Sequence, residues 1–179
     1  MPGTSQDGTV LGDMVLGAVA GCIATVPMTW AMEAMHRRLP RRERYPLPPR
    51  QITMRVAEEA GVKEQLDEDD RFGLTLLAHF GMGTAAGALY GLLAPKQPLP
   101  GPLAGAGFGL AVWAGNYLGL LPALSLLRPA TEHPPRRTAL MVTAHLVWGV
   151  VVGALVDSRP DRGRGTPRSD GNHRGGSAG

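Results

Sequence analysis

Residues 72–94 read FGLTLLAHFGMGTAAGALYGLLA, and residues 138–156 read TALMVTAHLVWGVVVGALV. Neither stretch contains Asp, Glu, Lys or Arg. Each places a histidine early and glycines behind it: Ala78-His79, Gly83, Gly87-Ala88-Leu89, then Ala144-His145, Gly149, Gly153-Ala154-Leu155. Residues four apart lie on one side of an α-helix, so each imidazole heads a ridge of glycines. Runs of 23 and 19 uncharged residues are close to the roughly 20 helical residues that cross a hydrocarbon core of about 30 Å.

Working outward, Met14–Met32 and Pro98–Leu127 are also free of charge, over 19 and 30 residues. The chain as a whole hides this. Its net charge is +3 and its mean hydropathy is −0.04, values ordinary for a soluble protein of 179 residues, because the charge is gathered into residues 33–71 and 157–179. Buried helices of a soluble bundle would show a polar stripe at 3.6-residue period. Gly17-Ala18-Val19-Ala20-Gly21 and Val147–Val156 show none. The fold expected is therefore all-α and polytopic, with four transmembrane helices near 10–35, 72–94, 102–121 and 138–156 forming a membrane domain over 10–156.

The histidines recur at an offset of 66, Gly17-Ala18 and Gly21 recur as Gly105-Ala106 and Gly109 at 88, and Pro48-Pro49-Arg50 recurs as Pro134-Pro135-Arg136 at 86. This pattern reads as two tandem parallel helical hairpins, the first enlarged between Gln51 and Asp70, related by an axis near the membrane normal. His79 lies seven residues after Phe72, and His145 seven after Thr138. Both rings should stand about 10 Å into their helices, on the side of the Pro-Pro-Arg loops.

Outside the spans, 1–9 is a short N-terminal segment. Residues 36–71 form a polar loop in which Pro49 can open a short amphipathic helix, with Ile52, Val56 and Ala60 on one face, ending near Gly61. The Arg/Gly-rich tail, 157–179, has the composition of disorder. Pro27 and Pro122 are expected to kink or end the first and third helices. The loops after the first and third helices carry nine and three basic residues, against six elsewhere. The positive-inside rule then favours cytoplasmic loops 36–71 and 128–137. Val19-Ala20-Gly21-Cys22 has the form of a lipoprotein cleavage box, but the thirteen residues before Met14 hold Asp7 and Asp13 and no basic residue, unlike a signal peptide. Cys22 reads instead as a small packed thiol. As the single cysteine it excludes an intramolecular disulfide.

Small residues at fourfold spacing let helix backbones meet in lipid. Gly17, Gly21, Thr25 and Thr29 make one such row; Gly83, Gly87 and Gly91 a second; Gly101, Gly105 and Gly109 a third; Gly149 and Gly153 a fourth. The alternative use of such a row is room for a flat cofactor or a file of water. The two histidines carry the candidate chemistry, since intramembrane ionisable groups mark proton and ion pathways. Three roles are open to them: an interhelical hydrogen bond, a proton or ion relay, or ligation of a metal or haem b. A metal site could draw on His79, His145, Glu33 and His36, with His133 on the same side, and haem could take the two intramembrane histidines as axial ligands.

None of the apolar segments carries a nucleophile elbow, a phosphate loop or an HExxH motif. The expectation is a non-enzymatic bundle without cofactor. Its partners would be the lipid bilayer, a second copy or another membrane protein, and not nucleic acid, since the basic tail lacks interleaved aromatics.

Pro27-Met28-Thr29, Leu47-Pro48-Pro49-Arg50, Ala78-His79-Phe80-Gly81, Gly87-Ala88-Leu89-Tyr90-Gly91, Leu121-Pro122 and Ala144-His145-Leu146-Val147-Trp148-Gly149 resemble small bacterial inner-membrane proteins of unknown function, of the YagU-like kind. The resemblance spans about residues 10–156. It implies a multi-pass protein of a bacterial plasma membrane built on a four-helix unit, and it carries no activity or site residue with it.

Overall fold

The computed structural model describes residues 4–94 and 98–158, with side chains from Thr9 onward. Among the described residues five longer helices, joined in places by short 3-10 turns, make the frame: α1, Thr4–His36; α2, Pro48–Glu59; α3, Glu68–Leu93; α4, Gly101–Ala123; and α5, Pro135–Asp157. No strand occurs among the described residues. Four of the helices, all but α2, are long and apolar enough to cross a membrane. The expected all-α, four-span architecture is the one observed.

Local chemistry moves the helix ends. At the start of α3, the Asp67 side chain accepts from the Asp70 N–H at 2.8 Å, and the Asp67 N–H donates to the Asp70 carboxylate at 3.3 Å. This capping box starts α3 at Glu68 rather than near residue 72, with three acids in a first turn where the helix dipole favours them. α5 starts at Pro135, where the missing N–H has no intrahelical role. The histidines consequently lie further along their helices than expected. His79 is eleven residues into α3 (79 − 68) and His145 ten into α5 (145 − 135), about 16 and 15 Å rather than 10 Å. Their matched depth survives.

α1 already runs as helix from Thr4, where a segment outside the helix was expected up to residue 9, and it continues through Pro27 to His36. In α4, Pro122 cannot donate to the Leu118 carbonyl, and its ring crowds that oxygen. The chain widens ahead of it into a π-helical turn over Gly115–Leu120 before a last α turn, Leu121–Ala123. α5 includes Asp157, and the tail expected to be disordered lies, beyond Ser158, outside the described residues.

The helices pair as two antiparallel hairpins, α1 with α3 and α4 with α5. Both seams are backbone against backbone. A Cβ on Gly17 would strike the Gly87 carbonyl and on Gly21 the Gly83 carbonyl; on Gly105 it would strike the Gly149 carbonyl and on Gly109 the His145 carbonyl. The observed register corrects the 88-residue correspondence. Gly17 faces Gly87 and Gly91, whereas Gly105 faces Gly149 and Gly153, the counterparts of Gly83 and Gly87. Keeping 66 for the second helices makes Gly17 equivalent to Gly101 and Gly21 to Gly105, an offset of 84 (101 − 17, 105 − 21). Thr25 then takes the place of Gly109, and its Oγ1 occupies the space over Gly83.

A third seam joins the hairpins through α1 and α5. Ala20, Ala24, Met28 and Met32 bury against Leu140, Met141, Ala144 and Trp148. The Trp148 Nε1–H donates to the Gly21 carbonyl at 3.2 Å, an oxygen that also accepts from the Thr25 hydroxyl at 2.8 Å. No comparable seam closes α3 onto α4. They meet at the far end from the loops, where the Tyr90 hydroxyl donates to the Gly101 carbonyl at 3.2 Å.

Replacing Gly105 with leucine should cost about 2–3 kcal/mol of unfolding free energy, since the side chain must enter a backbone contact. Gly107→Leu, on the same helix with nothing within 4 Å of its Cβ, should cost nothing. Detergent unfolding titrations of the two variants check this pair.

Candidate functional site

The space that α3 and α4 leave between them is a cavity of about 160 Å³. It holds both predicted histidines. His79 comes from α3, His145 from α5, Asn116 and Tyr117 from the π turn of α4, and Thr25 from α1. The remaining wall is mostly apolar, with Met28, Met82 and Met141 prominent, and the lining includes no Asp, Glu, Lys or Arg.

Each polar group is held differently. His145 Nδ1 lies 2.8 Å from the Met141 carbonyl one turn below. A carbonyl only accepts, so Nδ1 carries a proton, and in the neutral ring Nε2 keeps its lone pair. The Tyr117 ring stands edge-on to the His145 ring, 5.8 Å between centroids. Asn116 Nδ2 donates to the Val112 carbonyl at 2.8 Å, bracing the wide turn that presents both residues to the cavity. His79 Nε2 is shielded from solvent and has no hydrogen-bond partner. Among the described residues neither ring bonds to another helix; Trp148 makes that bond instead.

The floor of the cavity is α2. Its first turns supply Pro49, Ile52 and Thr53 to the lining, and Pro48 borders a neighbouring small cavity with Trp113, Tyr117 and His133. α2 thus packs on α3 and, like a wedge, floors the gap toward α4 on the loop side. Its buried face, Pro48, Thr53 and Ala57, is turned by about one residue from the expected one: Ile52 is half-buried, and Val56 and Ala60 are exposed.

Arg137 sets the wedge, and sequence reasoning missed it. The repeat drew attention to Arg136, which is exposed, whereas Arg137 is 5 % exposed. Its guanidinium donates to the carbonyls of Glu43 at 2.7 Å, Tyr45 at 2.9 Å and Pro46 at 3.0 Å. It also lies 3.5 Å from the centre of the Tyr45 ring. The segment it grips leads directly into α2. The Tyr45 hydroxyl is 3.0 Å from His133 Nδ1, and burial holds the His133 imidazole below its usual pKa. No local signal marks Arg137, because its three acceptors lie 91 to 94 residues away in the chain.

The wider ligand set does not assemble. Glu33 pairs with Arg37 at 3.1 Å, His36 Nε2 donates to the Tyr45 carbonyl at 3.1 Å, and neither lines the cavity. Among the described residues no three His, Cys, Asp or Glu side chains come together. The Pro48-Pro49-Arg50 and Pro134-Pro135-Arg136 echo is not a structural equivalence either: the first pair opens the wedge helix, the second a membrane span.

No curated protein and no solved structure matches the chain. Residues 28–154 match the family described as "Protein of unknown function (DUF1440)", and the chain belongs to it.

Arg137→Ala should destabilise the protein by about 3 kcal/mol, because three carbonyls lose a charged donor together. Arg137→Lys should recover little, since one ammonium cannot span three acceptors and stack on a ring. Thermal melts, with protease cleavage of segment 39–47 as the local readout, test both.

Proposed function

With membership of an uncharacterised family as premise, we propose that this multi-pass membrane protein is a non-enzymatic bundle whose paired-histidine cavity takes up and hands on protons, in the plasma membrane of a bacterium. One observation carries the reading: His79 and His145 line one cavity, and the buried His79 Nε2 has no partner. A histidine retained only to tie helices together would spend its ring nitrogens on an interhelical bond. Here one ring bonds within its own helix and the other shows an orphan nitrogen.

The chemistry follows from the tautomer. With Nδ1–H engaged by Met141, His145 Nε2 is a base facing a space that can hold water. With Nδ1–H held by the carbonyl, a neutral imidazole takes up a proton at Nε2 and gives it back through the same nitrogen to water in the cavity, and a second imidazole in the same space supplies the next acceptor. The cavity has no carboxylate among its lining residues, so a captured proton would not be trapped in a permanent ion pair.

Protein in liposomes loaded with a pH-sensitive dye, with the potential clamped by potassium and an ionophore, should dissipate an imposed pH gradient. His79→Gln and His145→Gln should each abolish this flux while leaving helix content unchanged. Equal flux in wild type and both variants rejects the reading.

A further inference from the structure

We infer that the paired-histidine cavity binds the head of a neutral, membrane-dissolved lipophile, a flat ring bearing a hydroxyl, which enters sideways between α3 and α4. It shares the cavity with the proton-handling reading and rests on it only for His145 Nε2 as a base.

The direction of entry comes from the walls. Ala78 and Met82 line the cavity and are also exposed on the outer surface, Met82 by 56 %. They lie ten and fourteen residues into the 26 of α3 (78 − 68, 82 − 68), near the middle of the span. Opposite them, Val112 and Asn116 of α4 are partly exposed at similar depth. The mouth therefore opens where the surroundings are hydrocarbon. Beyond one end of it α3 and α4 converge at the Tyr90 bond to Gly101, with the Phe108 ring centre 5.2 Å from that of Tyr90 and 6.1 Å from that of Trp148. At the other end α2 closes it, held by the Arg137 grip on residues 43–46.

The chemistry of the guest comes from the lining. A charged guest would meet no counter-charge there and would lose its hydration. A wholly apolar guest would leave His145 Nε2 and His79 Nε2 unsatisfied. His145 Nε2 accepts, so the matching group is a donor, a hydroxyl. Three methionines and the rings of Tyr117 and Trp148 around the space suit a flat ring, because thioethers and aromatic edges pack on ring faces and rims. A volume of about 160 Å³ holds the head, and the open mouth leaves the tail in lipid.

The test uses 4-decylphenol and its methyl ether, 4-decylanisole, which cannot donate, added to the full-length protein in detergent at constant pH. A ligand that binds the folded state raises the melting temperature. 4-Decylphenol should raise it, with an affinity about tenfold above that of the ether, the scale of one hydrogen bond. Met82→Trp fills the mouth from an exposed position, and should melt like wild type alone but lose the shift. If that variant proves unstable, Ala78→Phe serves the same purpose. Equal shifts from phenol and ether, no shift from either, or an undiminished shift in a folded mouth-filling variant overturns the inference. Because no proton gradient is involved, its failure leaves the proton-flux reading standing, and loss of flux with phenol binding intact leaves this one standing.

Discussion

Everything in this bundle depends on helix backbones touching where glycine leaves no Cβ. In lipid there is no hydrophobic gain from hiding one apolar helix against another, so association rests on close packing and buried hydrogen bonds. At Gly17, Gly21, Gly105 and Gly109 the facing carbonyl occupies the place a side chain would need. Those contacts fix the spacing and register of both hairpins. They also bring the His145 backbone against Gly109, so the candidate site inherits its position from the packing.

The two hairpins are alike, and the cavity exists because they are not joined symmetrically. α1 and α5 close a seam through alanines, methionines and the Trp148 bond to Gly21. α3 and α4 make no corresponding seam, and on the loop side the gap between them is floored by α2, an element only the first hairpin possesses. Arg137, from the second hairpin, grips the chain entering α2. The wedge thus belongs in sequence to one hairpin and is anchored by the other, and the space above it receives a side chain from each histidine-bearing helix.

Much of this architecture is legible in the sequence because its signals are local and repeated. Uncharged runs and fourfold glycine spacing identify four spans and their packing faces without reference to partners. Register is another matter. Gly-Ala pairs echo at 88, yet the backbones pair at 84, because Gly101, Gly105 and Gly109 offer three equivalent sites one turn apart and only the contact with α5 selects among them. The helix starts at Glu68 and Pro135 come from a capping box and an N-terminal proline lying outside the uncharged runs, and the histidines are further along their helices as a result. Arg137 was hidden by its neighbour Arg136, since burial of an arginine depends on carbonyls almost a hundred residues away in the chain. The cavity had no sequence signal at all, being the space left when two helices are held apart.

Both functional readings require His79 and His145 to face one space. The decisive experiment is His79→Cys together with His145→Cys in a Cys22→Ser background, treated with a short, lipid-soluble bifunctional thiol reagent. A shared cavity predicts rapid intramolecular cross-linking, seen as one added spacer on a monomer, while His79→Cys paired with Val150→Cys, whose side chain is 41 % exposed, stays unlinked. Failure of the 79–145 pair to link, or linking no faster than the control pair, would contradict it.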